Sequence, residues 1–332
     1  MKNILPALAG LTILAGSTFA ADPATPAAAT PAATPTPTPR KIIPGQVIVP
    51  TEKMRRIWGE LVSLDLKTRT GTFREESTNK LMSFTVLPYA ELLHHAAFGD
   101  LQDFRTGVRA IFRLHENEAG EWVWLTYIQD EMNFLNGHKE YYYVDSIDTA
   151  KGHLDCTDAN FDKSYVREKG IPIETDAATR YWKAGQPAKF SDIQIGDKLR
   201  TETHGIGQGK VRMAWEVFLD DESLQKFQNE QKALESKRIN EEGAPGYVDT
   251  VKDRNLDLTL FQESGEISHQ LKAGTKIRLA PAGVDRKPTA DAVDGTISTV
   301  QFVGPVAKVS LTLNADSTIF APAQISRLWI AH

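Results

Sequence analysis

The feature of this sequence that most constrains its fold is a short pattern that occurs twice with the same spacing. An aspartate, an apolar residue, two further residues and a glycine lead into a strand-like run, and a glycine-bearing turn then leads into another. The two copies lie in Leu101–Arg109 and in Phe190–Lys198. Glycine readily adopts the positive φ of a turn into a strand, and a glycine loop can close a hairpin. The pattern therefore predicts repeated β modules.

Each module opens with a strand-like run whose apolar residues are three positions apart. The pairs are Leu61 and Leu64, Val144 and Ile147, and Val248 and Val251. A spacing of three departs from the alternation of a regular strand, and a β-bulge accounts for it. A looser third copy of the glycine element lies at Leu271–Arg278.

These repeats predict a mainly β fold of three tandem small barrels, of the size of an OB or SH3-like domain. The modules span residues 54–138, 139–219 and 244–332, and each has about five short strands. A division into two domains is the main alternative, because 332 residues correspond to roughly two domains at ~150 residues each.

One long helix is predicted between the second and third modules, over residues 220–243, with its body at about 221–242. Asp220 or Asp221 can cap its first turn, and Gly243 followed by Pro245 ends it.

A narrow apolar stripe on this helix suits a connecting role; it consists of Leu224, Phe227, Leu234 and Ile239. Gln231 and Arg238 interrupt the stripe, which disfavours a dimerising coiled coil as the alternative. A shorter helix is predicted at Tyr89–Phe98, inside the first module.

The N-terminal segment has the three parts of a secretory signal peptide over residues 1–20. Lys2 is basic, Ile4–Ala15 is apolar but short for a membrane span, and small residues favour cleavage after Ala20. Residues 21–50 are rich in Ala, Thr and Pro and predict a disordered linker. We therefore expect an exported protein, periplasmic or extracellular, with no transmembrane segment after signal removal.

Motifs that carry chemistry are absent from the sequence. None of the eight histidines has the spacing of a zinc motif, and adjacent His94 and His95 are expected at a helix end or on the surface. The acidic run from Asp145 to Asp158 is expected to be a solvated charge set rather than a Ca²⁺ loop. Cys156 is expected to be a buried side chain rather than a nucleophile. We predict no catalytic residues, no metal ligands and no cofactor.

Exposed aromatic side chains are the best candidates for ligand contacts, with core packing as the alternative. The candidates are Trp122, Trp124, Trp182 and Trp215. Nucleic acid is disfavoured as a partner, because 38 Lys and Arg against 43 Asp and Glu give a net charge of −5.

The run from Gly59 to Asp65, the later Asp103–Arg109 and the closing strand pair resemble small β-barrel repeats of unknown function in secreted bacterial proteins. The second module is similar through Val144–Asp148 and Ile193–Lys198, whereas the third departs in spacing. The resemblance implies an OB-like barrel and an extracytoplasmic location, and it offers no catalytic residues to carry over.

The sequence thus predicts an exported, non-catalytic, multi-barrel binding or scaffold protein of the bacterial cell envelope, with an envelope polymer or an envelope protein as partner. The first alternative is an envelope hydrolase that acts on polysaccharide or peptidoglycan through an inter-module acidic site. The second is a metal or stress-responsive binding protein that uses His and Asp clusters. The sequence leaves the ligand and the oligomeric state open.

Overall fold

Residues 54–205 and 212–331 are described by the structure, a computed structural model. The segments interpreted as signal peptide and linker lie outside these residues. Within them the chain is mainly β, with three small barrels and one long connecting helix, which confirms the predicted fold class. Among the described helices, none combines the length and apolarity that a membrane crossing requires.

The first barrel is a closed five-stranded sheet with one added short strand. Its strands are β1 (Arg55–Asp65), β2 (Thr70–Glu75), β3 (Leu81–His94), β4 (Ala97–Phe98), β5 (Arg109–Glu116) and β6 (Trp122–Asp130). The closed order is β1-β2-β3-β6-β5, in which only β3 and β6 run parallel. A five-stranded barrel of this kind has the architecture of an OB-fold. The helix α1 (Glu131–His138) leads out of it.

The second barrel repeats this strand order. Its strands are β7 (Glu140–Asp148), β8 (His153–Asn160), β9 (Val166–Glu174), β10 (Arg180–Lys183), β11 (Gln186–Ala188), β12 (Lys198–His204) and β13 (Arg212–Phe218). The closed order is β7-β8-β9-β13-β12, again with one parallel pair, β9 and β13. The hairpin β10–β11 is an insertion that pairs with β13.

The third barrel has a different topology, in line with its looser sequence pattern. Its strands are β14 (Ala244–Lys252), β15 (Asn255–Leu260), β16 (Lys276–Ala282), β17 (Val293–Val303), β18 (Val306–Leu313) and β19 (Ile325–Ile330), with the short helix α3 (Gly265–Ser268) after β15. The six strands close in the order β14-β15-β18-β17-β16-β19, and all their pairings are antiparallel.

The predicted bulges are present in the opening strand of every barrel. The register shifts lie between Leu61 and Ser63, between Val144 and Ser146, and between Val248 and Thr250. A fourth copy, between Ile297 and Thr299, was not recognised in the sequence. Each bulge places the two apolar residues of its run on the core side.

A residue with positive φ is hydrogen-bonded to the strand just before each bulge. Gly107 donates its N–H to the carbonyl of Leu61 at 2.6 Å, and Gly196 donates to Val144 at 2.8 Å. In the third barrel the corresponding residues are Gly274 (φ 85°) and Ala323 (φ 63°). The φ angles of Gly107 and Gly196 in the first two barrels are 92° and 91°. In the first two barrels the glycine of the sequence pattern is therefore the turn residue that bonds to the opening strand. In the third barrel Ala323 bonds to the opening strand β14, and Gly274 bonds to β17.

The connecting helix α2 (Asp221–Glu242) has the predicted bounds and is capped by the Asp220 side chain, which accepts from the N–H of Ser223 at 2.8 Å. The predicted apolar stripe is wrong in part, because Leu234 is exposed. The buried positions instead include the polar residues Gln231, Glu235 and Arg238. Gln231 and Arg238 face inward because both donate to Asp103 of the first barrel, and Glu235 accepts from Arg238 beside it.

The predicted helix at Tyr89–Phe98 is also wrong. Strand β3 continues to His94, and a tight turn at His95 and Ala96 leads into β4. Pairing with β6 on one side holds this segment extended and buries Leu92, so tertiary contacts override the local helical preference.

A glycine substitution tests the turn that closes the second barrel. Space around the Cβ position of Gly196 is open, so Gly196→Ala adds only the strain of an L-residue at φ 91°. We expect the free energy of unfolding to fall by about 1–2 kcal/mol, measured by urea denaturation. Gly137→Ala is the matched control, because Gly137 lies in α1 with open space and no positive φ, and stability should rise by roughly 0.5–1 kcal/mol. Equal effects of the two substitutions would contradict the role of the turn.

Candidate functional site

The four tryptophans named from the sequence lie in three different surroundings. Trp122 and Trp124 are half-buried on β6, and Trp122 packs against the core of the first barrel. Trp124 pairs with Thr85 of β3 on one side and with His115 of β5 on the other. Contact between either side chain and a ligand stays a prediction.

Trp182 and Trp215 are packed against other parts of the chain. The indole N–H of Trp182 donates to Glu216, and its ring meets Phe227 of α2 at 5.0 Å. The ring of Trp215 stacks on His204 at 4.3 Å and is covered by Arg105 of the first barrel at 4.1 Å. These two side chains therefore connect the second barrel to α2 and to the first barrel, and their contact with a ligand also stays a prediction.

A charged cleft lies between the first and second barrels. Its volume is about 430 Å³, and both barrels contribute to its lining. The aromatic part consists of Trp58, Phe134 and Tyr142, and the basic part of Arg56, Arg109, Arg167 and Arg212. These residues form no motif in the sequence, because they are scattered over the strands of two modules and over α1. The only local sign of the cleft in the sequence is that Arg56 and Trp58 are two positions apart on one strand and therefore lie on the same face.

The floor of this cleft is a buried hydrogen-bond network around the carboxylate of Glu131. Arg109 donates to it at 2.8 Å, and the backbone N–H of Thr203 donates at 3.2 Å. The hydroxyls of Thr203 and Tyr142 also donate to it. Burial and the neighbouring Glu131 carboxylate raise the pKa of Tyr142 well above its usual range, so this phenol stays protonated. The network joins the two barrels through charge-assisted hydrogen bonds.

The acidic residues of the cleft wall are each paired with an arginine. The pairs are Glu75 with Arg55, Glu76 with Arg109, Asp158 with Arg167, and Glu168 with Arg212. A glycosidase of the ordinary kind uses two carboxyl groups that flank the scissile bond. The described lining of this cleft offers no such pair without a basic partner.

Asp158 departs from the solvated charge set expected for the acidic run. Its side chain is buried beneath the cleft, and one carboxylate oxygen has no hydrogen-bond partner among the described residues. Burial, followed by the nearby Glu140 carboxylate, raises the pKa of Asp158 to about 7. The site therefore contains a carboxyl group that titrates near neutral pH.

Cys156 is buried in β8, inside the core of the second barrel. Burial raises the pKa of its thiol to about 12, with Asp145 and Asp155 acting in the same direction. A protonated, inaccessible thiol does not act as a nucleophile.

A second polar cluster lies where both barrels meet α2. His94 and His95, expected at a helix end or on the surface, instead end β3 and begin the turn to β4, and they lie beside Asp130 and Glu202. One potential ligand atom from each of the four lies within 4.8 Å of the others, so these side chains could hold a metal ion. The sequence shows no metal-ligand spacing here, because the residues come from three separate strands and a turn.

Comparison with known proteins gives little similarity. No protein-family model and no curated protein matches the chain. Among solved structures, Drosophila Unr CSD456 is 13% identical with a TM-score of 0.19, over 73% of this chain and 89% of that one. A luciferin-regenerating enzyme is 14% identical with a TM-score of 0.10, over 83% of this chain and 95% of that one. At these TM-scores neither structure bears on the ligand, and the fold assignment rests on the strand order.

The shifted carboxyl group predicts a specific pH dependence of stability. Because the folded-state pKa of Asp158 is about 7 against an ordinary value of 3.8, the folded protein keeps a proton that the unfolded chain releases. The contribution of Asp158 to the free energy of unfolding therefore falls as the pH rises from about 4 to 7. Between about pH 5.5 and 8 we expect the natural protein to lose ~2 kcal/mol more than Asp158→Asn does, measured by urea denaturation.

Asp291→Asn is the control for this comparison, because Asp291 is exposed. It should show the pH dependence of the natural protein. Identical pH profiles for the natural protein and Asp158→Asn would contradict the raised pKa.

Proposed function

We propose that this chain is an exported, non-catalytic binding protein of the bacterial cell envelope that holds an envelope polymer in the cleft between its first two barrels. Export is proposed from the signal-peptide features of residues 1–20, the Ala/Thr/Pro-rich linker that follows, and the resemblance to secreted bacterial barrel repeats. The observation that carries the binding function is the cleft itself, which two OB-type barrels line with arginines and aromatic rings.

The chemistry of the cleft suits a polar polymer. Arg56 and Arg167 lie over the ring of Phe134 at 5.3 and 4.9 Å, and Arg109 lies over Trp58 at 3.8 Å. Flat cationic groups on aromatic faces present both charge and apolar surface. Peptidoglycan offers matching groups, because its peptides carry carboxylates and its sugars have apolar faces.

Binding is favoured over hydrolysis by the pairing of the acids in the cleft. The raised pKa of Asp158 would suit a general acid, but a glycosidase of the ordinary kind also needs a second free carboxyl group. The other acids of the described lining, Glu75, Glu76 and Glu168, are each paired with an arginine. An inter-barrel hydrolase therefore remains the less favoured alternative, and the experiment below includes an assay for it.

Co-sedimentation of the purified protein with isolated cell-wall sacculi tests this proposal. Arg56→Ala is the informative variant, because Arg56 is exposed and forms no salt bridge among the described residues, so its removal leaves no acid unpaired. We expect about tenfold weaker binding, equivalent to ~1.4 kcal/mol. Arg254→Ala is the matched control, since Arg254 is an exposed arginine of the third barrel, and it should bind as the natural protein does.

Three results would contradict parts of the proposal. Absence of binding to sacculi would overturn the polymer ligand and favour an envelope protein as the partner. Equal binding by Arg56→Ala and Arg254→Ala would overturn the cleft as the binding surface. Release of soluble wall fragments in the same tube would favour the hydrolase.

A further inference from the structure

We propose that His94, His95, Asp130 and Glu202 form a binding site for one divalent transition-metal ion of the zinc class. Potential ligand atoms of all four side chains lie within 4.8 Å of one another. Two imidazole nitrogens and two carboxylate oxygens form a donor set that Zn²⁺ and neighbouring divalent ions accept. This site is separate from the cleft and does not depend on the function proposed for it.

The distances within the cluster are long for hydrogen bonds and close to those around an ion. His94 Nε2 is 4.0 Å from Asp130 Oδ2 and 3.9 Å from Glu202 Oε1, and His95 Nε2 is 3.8 Å from Glu202 Oε2. Four ligands in tetrahedral contact with an ion at ~2.1 Å are about 3.4 Å apart. These three distances would therefore need to shorten by roughly half an ångström to match tetrahedral coordination.

Two atoms of the cluster have no partner within hydrogen-bond distance in the described part of the chain, and their nearest ion-pair contacts are 3.8–3.9 Å long. His95 Nε2 and Glu202 Oε1 are buried and accept or donate no hydrogen bond there, and Glu202 as a whole is 3% exposed. A buried carboxylate oxygen without a partner carries an unfavourable desolvation cost. A bound cation removes this cost for both atoms.

The charges of the cluster set it apart from the other buried acids. Seven further Asp and Glu side chains are buried in the described residues, and every one forms a salt bridge with an arginine; they are Glu75, Glu131, Glu140, Asp158, Glu216, Glu235 and Glu263. Asp130 and Glu202 form no salt bridge with an arginine in the described residues, and their ion-pair contacts there are to the two histidines. Asp130 also accepts from the backbone N–H groups of His95 and Asn133, each at 2.7 Å. With neutral imidazoles the pair carries two negative charges, which a divalent cation balances.

The surroundings fix the orientation of the first ligand. The Nε2 of Gln231 on α2 donates to the carbonyl of Phe98 at 3.2 Å and to Asp103 at 3.0 Å, so its Oε1 is the atom that faces His94 Nδ1 at 3.1 Å. An amide oxygen accepts, so Nδ1 carries the proton and the lone pair of Nε2 points into the cluster. Such an outer contact is typical of histidines that bind metals.

The position of the site indicates a structural role. His94, His95 and Asp130 belong to the first barrel, whereas Glu202 lies on β12 of the second, so one ion would link the two barrels. Phe104 packs against His94 and Phe227 of α2 packs against His95, each with ring centres 5.4 Å apart. Four protein ligands under two aromatic rings make a closed coordination shell, as in structural zinc sites.

Titration of the chelator-treated, tag-free protein with Zn²⁺ tests the site. Calorimetry should give one ion per chain, and the melting temperature should rise by about 5 °C or more at a hundredfold excess of Zn²⁺ over the dissociation constant. Co²⁺ in place of Zn²⁺ should give the intense visible absorption of tetrahedral coordination. Absence of stoichiometric binding to the natural protein would overturn the proposal.

Three variants locate the ion. Glu202→Gln should weaken Zn²⁺ binding at least a hundredfold, and His95→Asn should have the same effect. Asparagine is chosen at position 95 because it tolerates the positive φ of 47° there. His153→Gln is the matched control, because His153 also contacts two carboxylates, of Glu174 and Asp155, but lies elsewhere on the second barrel. Unchanged binding in both site variants, or loss of binding in His153→Gln alone, would overturn the assignment.

Discussion

The buried carboxylate of Glu131 is the contact on which the arrangement of the first two barrels depends. It lies at the start of α1, accepts from Arg109 of the first barrel, and accepts from Tyr142 and Thr203 of the second. A fully buried carboxylate is tolerated only when its hydrogen bonds and its charge are satisfied. Separation of the barrels would remove the partners from one side. The same contact therefore shapes the cleft above it.

Two further acidic residues of the first barrel form contacts with α2 and with the third barrel. Asp103 accepts from Gln231 and Arg238 of α2, and Asp100 pairs with Arg69 of its own barrel and with Arg286 of the third. These contacts explain why the polar residues of α2, and not a continuous apolar stripe, face inward. They also place Gln231 against His94, so the helix that connects the barrels also orients the proposed metal site.

The sequence was most informative where backbone geometry alone determines the residue type. The three-residue apolar spacing predicted the bulges near Val62, Asp145 and Asp249, and the glycine pattern predicted the turns at Gly107 and Gly196, because these depend on local conformation. The bounds of α2 followed from its cap and its terminal glycine for the same reason.

Features that depend on tertiary contacts were missed or misjudged. Nothing near Tyr89 in the sequence shows that β6 will hold the segment extended, and nothing near Gln231 shows that it will meet Asp103. The residues of the cleft and of the His94 cluster are brought together only when two barrels pack, and their spacing along the chain matches no motif. Sites built between modules are therefore the part of such a protein that a single sequence reveals least.

A double-mutant cycle between Glu131→Gln and Thr203→Val, measured by urea denaturation of the full chain, tests most directly whether this buried contact joins the barrels. The hydroxyl of Thr203 donates to Glu131 from the opposite barrel. Residues that share one buried network show coupling energies of roughly 0.5–3 kcal/mol, and we expect a value above about 1 kcal/mol. Additive effects within about 0.5 kcal/mol would show that the carboxylate and the hydroxyl do not interact, which would contradict the account.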